Sequence, residues 1–265
     1  METYEALMDA AWPAPERHDT GEWTLRAAGG VTQRANSVWP QAEARDIPGA
    51  VREASLWYRR RRLPPIYQVT DTPRNAALNA VLDAQGYTRQ SETLIMARSS
   101  GPDTSRTAPV RPPGRPAAEL SDQPTDEWLD LWWSVDGRGG APELETARTI
   151  LTGCPSLYAL VRSDDGAPAA VGRLALPLAP PLAGGGCYGG IYGMATRPGL
   201  RRQGLAGRVL HSLMEGAAEA GAEELWLLVT AANTGAQTLY AKAGFREAGR
   251  YAYRQERPLR ARTGC

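Results

Sequence analysis

The feature of this chain that most constrains its fold is the segment MATRPGLRRQGLAGRVL, which runs from Met194 to Leu210. A predicted strand ends at Thr196, and after a short turn a long helix begins at a loop that contains Gly204. The first amides of a helix have no partner within it, and the helix dipole adds partial positive charge there. Glycine also lets a ligand approach the backbone closely. The segment therefore predicts a phosphate site at the start of a helix that follows a strand.

The same loop carries a recognisable motif. Its residues RRQGLA, from Arg201 to Ala206, fit the pattern Arg or Gln, two residues, Gly, one residue, then Gly or Ala. This resembles the GNAT superfamily of N-acetyltransferases. The resemblance covers roughly 115–256, and its two motifs together are far more specific than either one. The downstream positions that match the family's spacing are Asn233, Ala236, Leu239, Tyr240, Gly244 and Phe245.

The resemblance implies an α/β fold with a mixed sheet, the GNAT acyl-CoA N-acyltransferase fold, and acetyl-CoA (coenzyme A) as co-substrate. It implies that the backbone of Met194, Ala195 and Thr196 pairs with the pantetheine arm. Asn233 would contact the cofactor beyond splayed central strands, and Tyr240 would stand near the thioester sulfur. The residues expected around the pyrophosphate are Arg201, Arg202, Gln203, Gly204, Leu205, Ala206 and Gly207.

Acyl transfer from a thioester to an amine needs a neutral amine, a hydrogen-bond donor for the carbonyl oxygen and a proton for the leaving thiolate. A backbone N–H near Met194 can be the donor. A tyrosine hydroxyl can protonate a thiolate when it lies within hydrogen-bond reach. We therefore expect direct attack by a primary amine with Tyr240 as the general acid.

The general base is less clear from the sequence. Some members of the family carry a Glu five residues before the Asn, where this chain has Leu228. Asp136, Glu143 and Glu145 lie in the acceptor region, and any of them could act through water. If no base exists, we expect an acceptor amine of low pKa, because deprotonating a lysine-type amine at pH 7 costs about 4 to 5 kcal/mol. Leu228 also keeps open a second function, a non-catalytic acyl-CoA-binding or sensor protein.

The segment 99–115 is rich in Pro, Ser, Thr and Arg and has no apolar periodicity, which indicates a linker. It separates a degenerate N-terminal GNAT-like lobe, 1–98, from a catalytic GNAT domain, 116–258, and a C-terminal tail, 259–265. An internal echo supports a tandem arrangement with an incomplete N-terminal copy: the stretch from Ile66 repeats the strand, helix, Gly, aromatic, strand order of the stretch from Leu225. We expect no cofactor in the first lobe, because no phosphate loop precedes Ile66.

Apolar periodicity, Gly and Pro predict mixed elements in both halves. In the first half we expect strands at 22–27, 31–39, 66–70 and 93–97 and helices at 47–63 and 74–85. In the second half we expect strands at 117–120, 157–161, 169–176, 188–196, 225–229 and 250–255. The helices expected there follow an N-cap at Thr125 or cover 143–151, 202–220 and 234–243.

Composition narrows the partners. A formal net charge of +1 gives no long-range field for nucleic acid or an anionic membrane. Three cysteines that are far apart and only two histidines argue against a disulfide framework and a metal site. No signal peptide or membrane helix is visible, so we expect a cytoplasmic protein. It would be a monomer or homodimer whose partner is a small-molecule or peptide amine.

Overall fold

The structure is a computed structural model that describes residues 1–99, 117–177 and 186–256. The helices are α1 (Glu2–Ala11), α2 (Ile47–Arg60), α3 (Ala76–Ala84), α4 (Asp126–Asp136), α5 (Ala141–Leu151), α6 (Leu205–Glu219) and α7 (Thr234–Lys242). The first strands are β1 (Glu16–Asp19), β2 (Trp23–Ala27), β3 (Val38–Pro40), β4 (Ile66–Thr70), β5 (Tyr87–Ser99) and β6 (Glu119–Ser121). The later strands are β7 (Ser156–Arg162), β8 (Pro168–Ala175), β9 (Tyr188–Thr196), β10 (Glu224–Thr230) and β11 (Arg246–Glu256).

The chain forms two compact units, and neither is continuous in sequence. The C-terminal unit contains Met1–Pro13 and Leu94–Gly249, whereas the N-terminal unit contains Ala14–Thr93 and the end of β11 from Arg250. The units therefore do not follow the linear boundaries at 98, 116 and 258 that we expected from the sequence. Apart from Ser99, the expected linker lies outside the described residues, as does the expected tail.

The N-terminal unit is built on one small sheet. Strands β1, β2 and β3 pair antiparallel, β3 and β4 pair parallel, and β4 pairs antiparallel with the end of β11. Helix α2 is tied to β2 because the fully buried Tyr58 hydroxyl accepts from the Arg26 amide and donates to the Arg26 carbonyl. The helix begins at Asp46, whose carboxylate accepts from the Gly49 amide at 3.0 Å.

The strand expected at 31–39 is wrong. Only Val38–Pro40 is extended, and a 3₁₀ turn occupies Arg34–Asn36. The buried Asn36 side chain accepts from the Ala28 and Gly30 amides, which holds the preceding segment in a loop. A side chain that satisfies nearby backbone amides replaces the ladder that a strand would need.

The C-terminal unit contains a mixed sheet in the order β5-β10-β9-β8-β7-β6. Strands β9 and β10 are parallel, and β8, β7 and β6 follow antiparallel. Helix α6 covers one face, where Val209, Leu213 and Ala217 join the core. Helices α1 and α4 lie on the other face, where Trp12 stacks on Tyr192 with ring centroids 5.5 Å apart.

Two helix starts in this unit show how local sequence sets the fold. The Thr125 hydroxyl accepts from the Trp128 amide at 3.2 Å, so the expected N-cap of α4 is confirmed. Helix α6 begins at Leu205 and not at 202, because Arg202 (φ 66°) and Gly204 (φ 81°) have left-handed backbones that cannot continue a helix.

The internal echo in the sequence appears in the structure as two similar runs of elements, β4-α3-β5 and β10-α7-β11. Both helices have nine residues and are followed by a left-handed glycine, Gly86 (φ 78°) or Gly244 (φ 90°), and then an aromatic residue. Leu82 takes the position that Tyr240 has in the second run. The N-terminal copy therefore lacks the phenol that the family resemblance singles out.

Candidate active site

The central strands of the C-terminal unit separate partway along their length. The register of β9 and β10 runs from Tyr188 opposite Glu224 to Ile191 opposite Leu227. Both strands continue further, β9 to Thr196 and β10 to Thr230, without further paired residues in that register. On its other side β9 stays paired with β8 up to Thr196. One edge of β9 beyond Ile191 is thus left open for an extended ligand.

A β-bulge lies at the mouth of this opening. The register between β8 and β9 shifts between Val171 and Arg173, and Gly193 has a left-handed backbone with φ of 59°. A Cβ at Gly193 would lie 3.2 Å from the Trp128 ring and 3.6 Å from the Trp132 indole nitrogen. A bulge re-aims the backbone groups that follow it. Here those groups belong to Met194, the first residue expected to contact the acyl donor.

The start of α6 provides unpaired backbone donors. Its N-cap is Gly204, which has no side chain to cap the helix. The first bond within the helix runs from the Arg208 amide to the Gly204 carbonyl at 3.1 Å, so the amides of Leu205, Ala206 and Gly207 have no acceptor in the helix. Arg201 and Arg202 are exposed beside it. This end of α6 is suited to an anion.

Contacts between α6 and α7 bring the two sequence motifs together. A Cβ at Gly207 would lie 3.8 Å from the Leu239 side chain, and Leu205 and Tyr240 belong to one buried cluster. Asn233 begins α7, and its side-chain oxygen accepts from the Ala236 amide at 3.1 Å. Asn233 thus has a structural role as an N-cap, and its amide group remains available on an exposed residue.

The Tyr240 side chain is 6% exposed and packs edge-on against Phe245. Among the described residues, its hydroxyl has no hydrogen-bond partner. Burial, with a smaller contribution from the negative charge of Asp136, raises the pKa of Tyr240 to about 12. The phenol is therefore protonated at neutral pH and can act only as a proton donor there.

The three carboxylates suggested as bases have different surroundings. Glu143 accepts from the Gly140 amide at 2.8 Å and caps α5, and Glu145 pairs with Arg148 at 3.6 Å. Asp136 has no ion pair or hydrogen bond among the described residues. Desolvation by the surrounding protein raises the pKa of Asp136, and the positive charge of Arg201 partly opposes that increase. Asp136 is the carboxylate that the structure leaves available near Tyr240.

A cleft of about 410 Å³ lies in the N-terminal unit, between β2 and α2, and its lining includes Trp23, Glu53 and Trp57. Its chemistry does not suit a phosphate, because the nearby start of α2 is already capped by the Asp46 carboxylate. The cleft contains none of the residues expected to bind the acyl donor. The splayed strands and the uncapped α6 therefore mark the better candidate site.

The structure thus brings together the residues of the phosphate loop, the end of β9 and Tyr240, all within the C-terminal unit. Asn233 lies at the start of the same helix as Tyr240. Sequence reasoning missed Gly193 and Trp132. The signal for Trp132 was its spacing, since Trp128, Trp132 and Asp136 recur every four residues and share one face of α4.

Within 1–99, 117–177 and 186–256, no helix is long and apolar enough to cross a membrane. The same residues contain no group of three or more His, Cys, Asp or Glu side chains placed to hold a metal ion.

Comparisons with known proteins agree with this geometry. Residues 2–254 match the family described as "Probable histone acetyltransferase Rv0428c C-terminal". The chain is 28% identical over 255 residues to the "Uncharacterized N-acetyltransferase YobR" of Bacillus subtilis, covering 96% of this chain and 97% of that protein. These matches span nearly the whole chain, so they include both compact units.

Solved structures show the same fold. A GCN5-related N-acetyltransferase from Kribbella flavida has a TM-score of 0.70 at 16% identity, over 97% of this chain and 96% of that one. A tandem GNAT protein from the clavulanic acid biosynthesis pathway has a TM-score of 0.63 at 14% identity, over 96% and 88% of the two chains. The expected mixed α/β GNAT fold is confirmed. The chain belongs to the Rv0428c C-terminal acetyltransferase family and, with it, to the GNAT superfamily of N-acetyltransferases.

Proposed function

We propose that this acyltransferase moves an acetyl group from acetyl-CoA to a primary amine by direct attack, with Tyr240 as the general acid. The observation that carries the proposal is that the pairing of β9 and β10 ends at Ile191 and Leu227, which share a buried cluster with Leu205, the first residue of the uncapped α6. An open strand edge and a phosphate-binding helix start, side by side, suit a ligand that has both an extended amide arm and a pyrophosphate.

The chain's own residues fit the co-substrate in three places. The amides of Leu205, Ala206 and Gly207, which have no acceptor in the helix, would bind the pyrophosphate, and the exposed arginines of the loop would add positive charge. The open edge of Met194 to Thr196 binds the pantetheine amides, and Asn233 contacts the arm beyond the splay. When bound, acetyl-CoA supplies the activated acyl carbon.

We assign the proton that the amine loses to Asp136, because Glu143 and Glu145 are engaged in a cap and an ion pair. The amine nitrogen forms a bond to the acyl carbon and the carbon–sulfur bond breaks. Asp136 takes the proton from nitrogen, and Tyr240 gives its proton to the departing sulfur. The products are an amide and CoA thiol, and the two side chains exchange their protons with solvent afterwards.

The two groups are electrostatically coupled. Transfer from a phenol of pKa about 12 to a thiolate whose acid has a pKa near 8.5 is uphill by roughly 5 kcal/mol. Protonation of Asp136 removes a charge that raises the pKa of Tyr240. Taking the amine proton at Asp136 therefore makes Tyr240 a stronger acid when the thiolate leaves.

The proposal is tested by measuring CoA thiol release with acetyl-CoA and a panel of amines that spans low and high pKa. We expect turnover by the wild-type chain and a loss of about 100-fold in kcat for Tyr240→Phe, with CoA affinity by calorimetry unchanged. The matched control is Tyr251→Phe, because Tyr251 lies in the N-terminal unit, outside the candidate site, and its loss should leave kcat unchanged. Binding of CoA without turnover of any amine would favour the sensor function that Leu228 keeps open.

A further inference from the structure

Trp132 carries a buried hydrogen-bond donor that the protein leaves unused. Its side chain is 4% exposed, and its indole nitrogen has no hydrogen-bond partner among the described residues. The neighbouring Trp128 differs, because its indole N–H donates to the carbonyls of Ala159 and Gly172, both at 3.1 Å. A buried donor without an acceptor costs about 1 to 3 kcal/mol, so such a group calls for an explanation.

The position of this donor is fixed by the rings packed around it. The Trp132 ring stacks on Trp128 at 6.0 Å and meets the edges of Trp12 at 6.5 Å. The indole nitrogen lies 3.6 Å from the position of a Cβ on Gly193, the left-handed residue of the β9 bulge. The donor is thus held over the residue that directly precedes Met194. The donor is therefore already in place, and no rearrangement of the protein is needed when a ligand binds.

We propose that the Trp132 indole N–H is a second hydrogen-bond donor to the acyl carbonyl oxygen, acting together with the backbone N–H at Met194. This inference rests on the proposed function. An indole N–H donates and cannot accept, so it suits an oxygen and not an ammonium group. The acyl oxygen gains negative charge when the amine attacks the carbonyl carbon, and a rigid donor in a buried site stabilises that charge most.

The spacing of α4 gives this donor a place in the site. Trp132 and Asp136 are four residues apart and lie on one face of the helix. Trp132 approaches the bulge, and the charge of Asp136 interacts with Tyr240 and Arg201. One turn of helix thus carries the oxygen donor and the base, so α4 sets their separation.

The test replaces the tryptophan with benzothienylalanine, a ring of nearly the same shape that has sulfur in place of the N–H. The probe is acetonyl-dethio-CoA, an unreactive ketone analogue in which a CH2 group replaces the thioester sulfur, and the readout is the infrared stretch of its bound carbonyl. At position 132 we expect the stretch to move to higher wavenumber and kcat to fall about 100-fold. The melting temperature should not fall, because no protein hydrogen bond is lost.

The same replacement at position 128 is the matched control. It removes the N–H that donates to the backbone carbonyls of Ala159 and Gly172, so it should lower the melting temperature. The infrared stretch of the bound ketone should stay unchanged. An unchanged stretch in the bound 132 variant would overturn this inference and leave the proposed function standing. Failure of the wild-type chain to bind acetonyl-dethio-CoA would overturn both this inference and the proposed function.

Discussion

Gly204 and Gly221 lie at the two ends of α6 and allow a controlled test of the phosphate site. Gly204 is the N-cap with φ of 81°, and Gly221 follows the last turn with φ of 74°. A Cβ on either glycine would meet no atom of the described residues within 4 Å. An alanine at either site would therefore have the same unfavourable left-handed backbone, and only Gly204 lies at the expected phosphate site.

An alanine at either position must adopt a left-handed backbone, which costs roughly 1 to 2 kcal/mol. We expect Gly204→Ala and Gly221→Ala to lose similar free energies of unfolding, near 1 kcal/mol after the lower entropy of the unfolded alanine chain is included. Urea denaturation measures this loss. The similar values would show that neither methyl group clashes with the protein.

Binding should separate the two variants. The methyl group at Gly204 occupies the space through which a pyrophosphate reaches the amides of α6, so we expect CoA affinity to fall about tenfold or more, equal to about 1.4 kcal/mol. Gly221→Ala should bind CoA as the wild type does. Calorimetric titration with CoA decides the matter. Equal affinity in the two variants would refute the assignment of the pyrophosphate to this helix start.

Two further predictions concern the charge of Asp136 near Tyr240 and the N-cap of α4. Asp136→Asn should lower the pKa of Tyr240 below about 12 by the electrostatic part of the increase only, because burial, the larger cause, remains. The pKa is read from tyrosinate absorbance, as the difference between Asp136→Asn and the double variant that also carries Tyr240→Phe. Because folding raises the pKa of Tyr240, the neutral phenol contributes free energy of folding that is fully present below pH 10 and is lost between about pH 10 and 12. In Asp136→Asn this loss should be complete at a lower pH than in the wild type. Thr125→Ala should lower the free energy of unfolding, measured by urea denaturation, by about 1 kcal/mol, because the Trp128 amide loses its acceptor. The control Thr146→Ala, at an exposed position of α5, should lower it less.

Much of the fold follows from local patterns in the chain. Strands β4 and β9 have the expected bounds, because each is an apolar or small-residue run between clear Pro or Gly signals. Helix α1 was not expected, since its buried residues pack against distant parts of the chain. Its carbonyl at Ala11 accepts from the fully buried Arg173, which lies 162 residues away. No window of local sequence contains that contact.

The site divides in the same way. The phosphate loop and the helix that carries Tyr240 have local motifs, and the structure places both in one cluster. The residue type of Arg202 does not predict its left-handed backbone, so the sequence predicts the start of α6 too early, at 202. Gly193 and Trp132 depend on how β9 and α4 meet, which only tertiary structure shows. The roles of Tyr240 and Asn233 stay predictions.

The exchange of terminal segments between the two units has a consequence for synthesis of the chain. Strand β4 is translated well before its partner from Tyr251 to Gln255. Helix α1 is likewise translated well before Arg173, whose side chain donates to the Ala11 carbonyl, and residues 14–93 of the other unit lie between them. The C-terminal unit therefore has all of its segments only after Gly249, and the N-terminal unit only after the residues of β11 that follow it. A gene split near 98 would yield two polypeptides that each lack part of their own core.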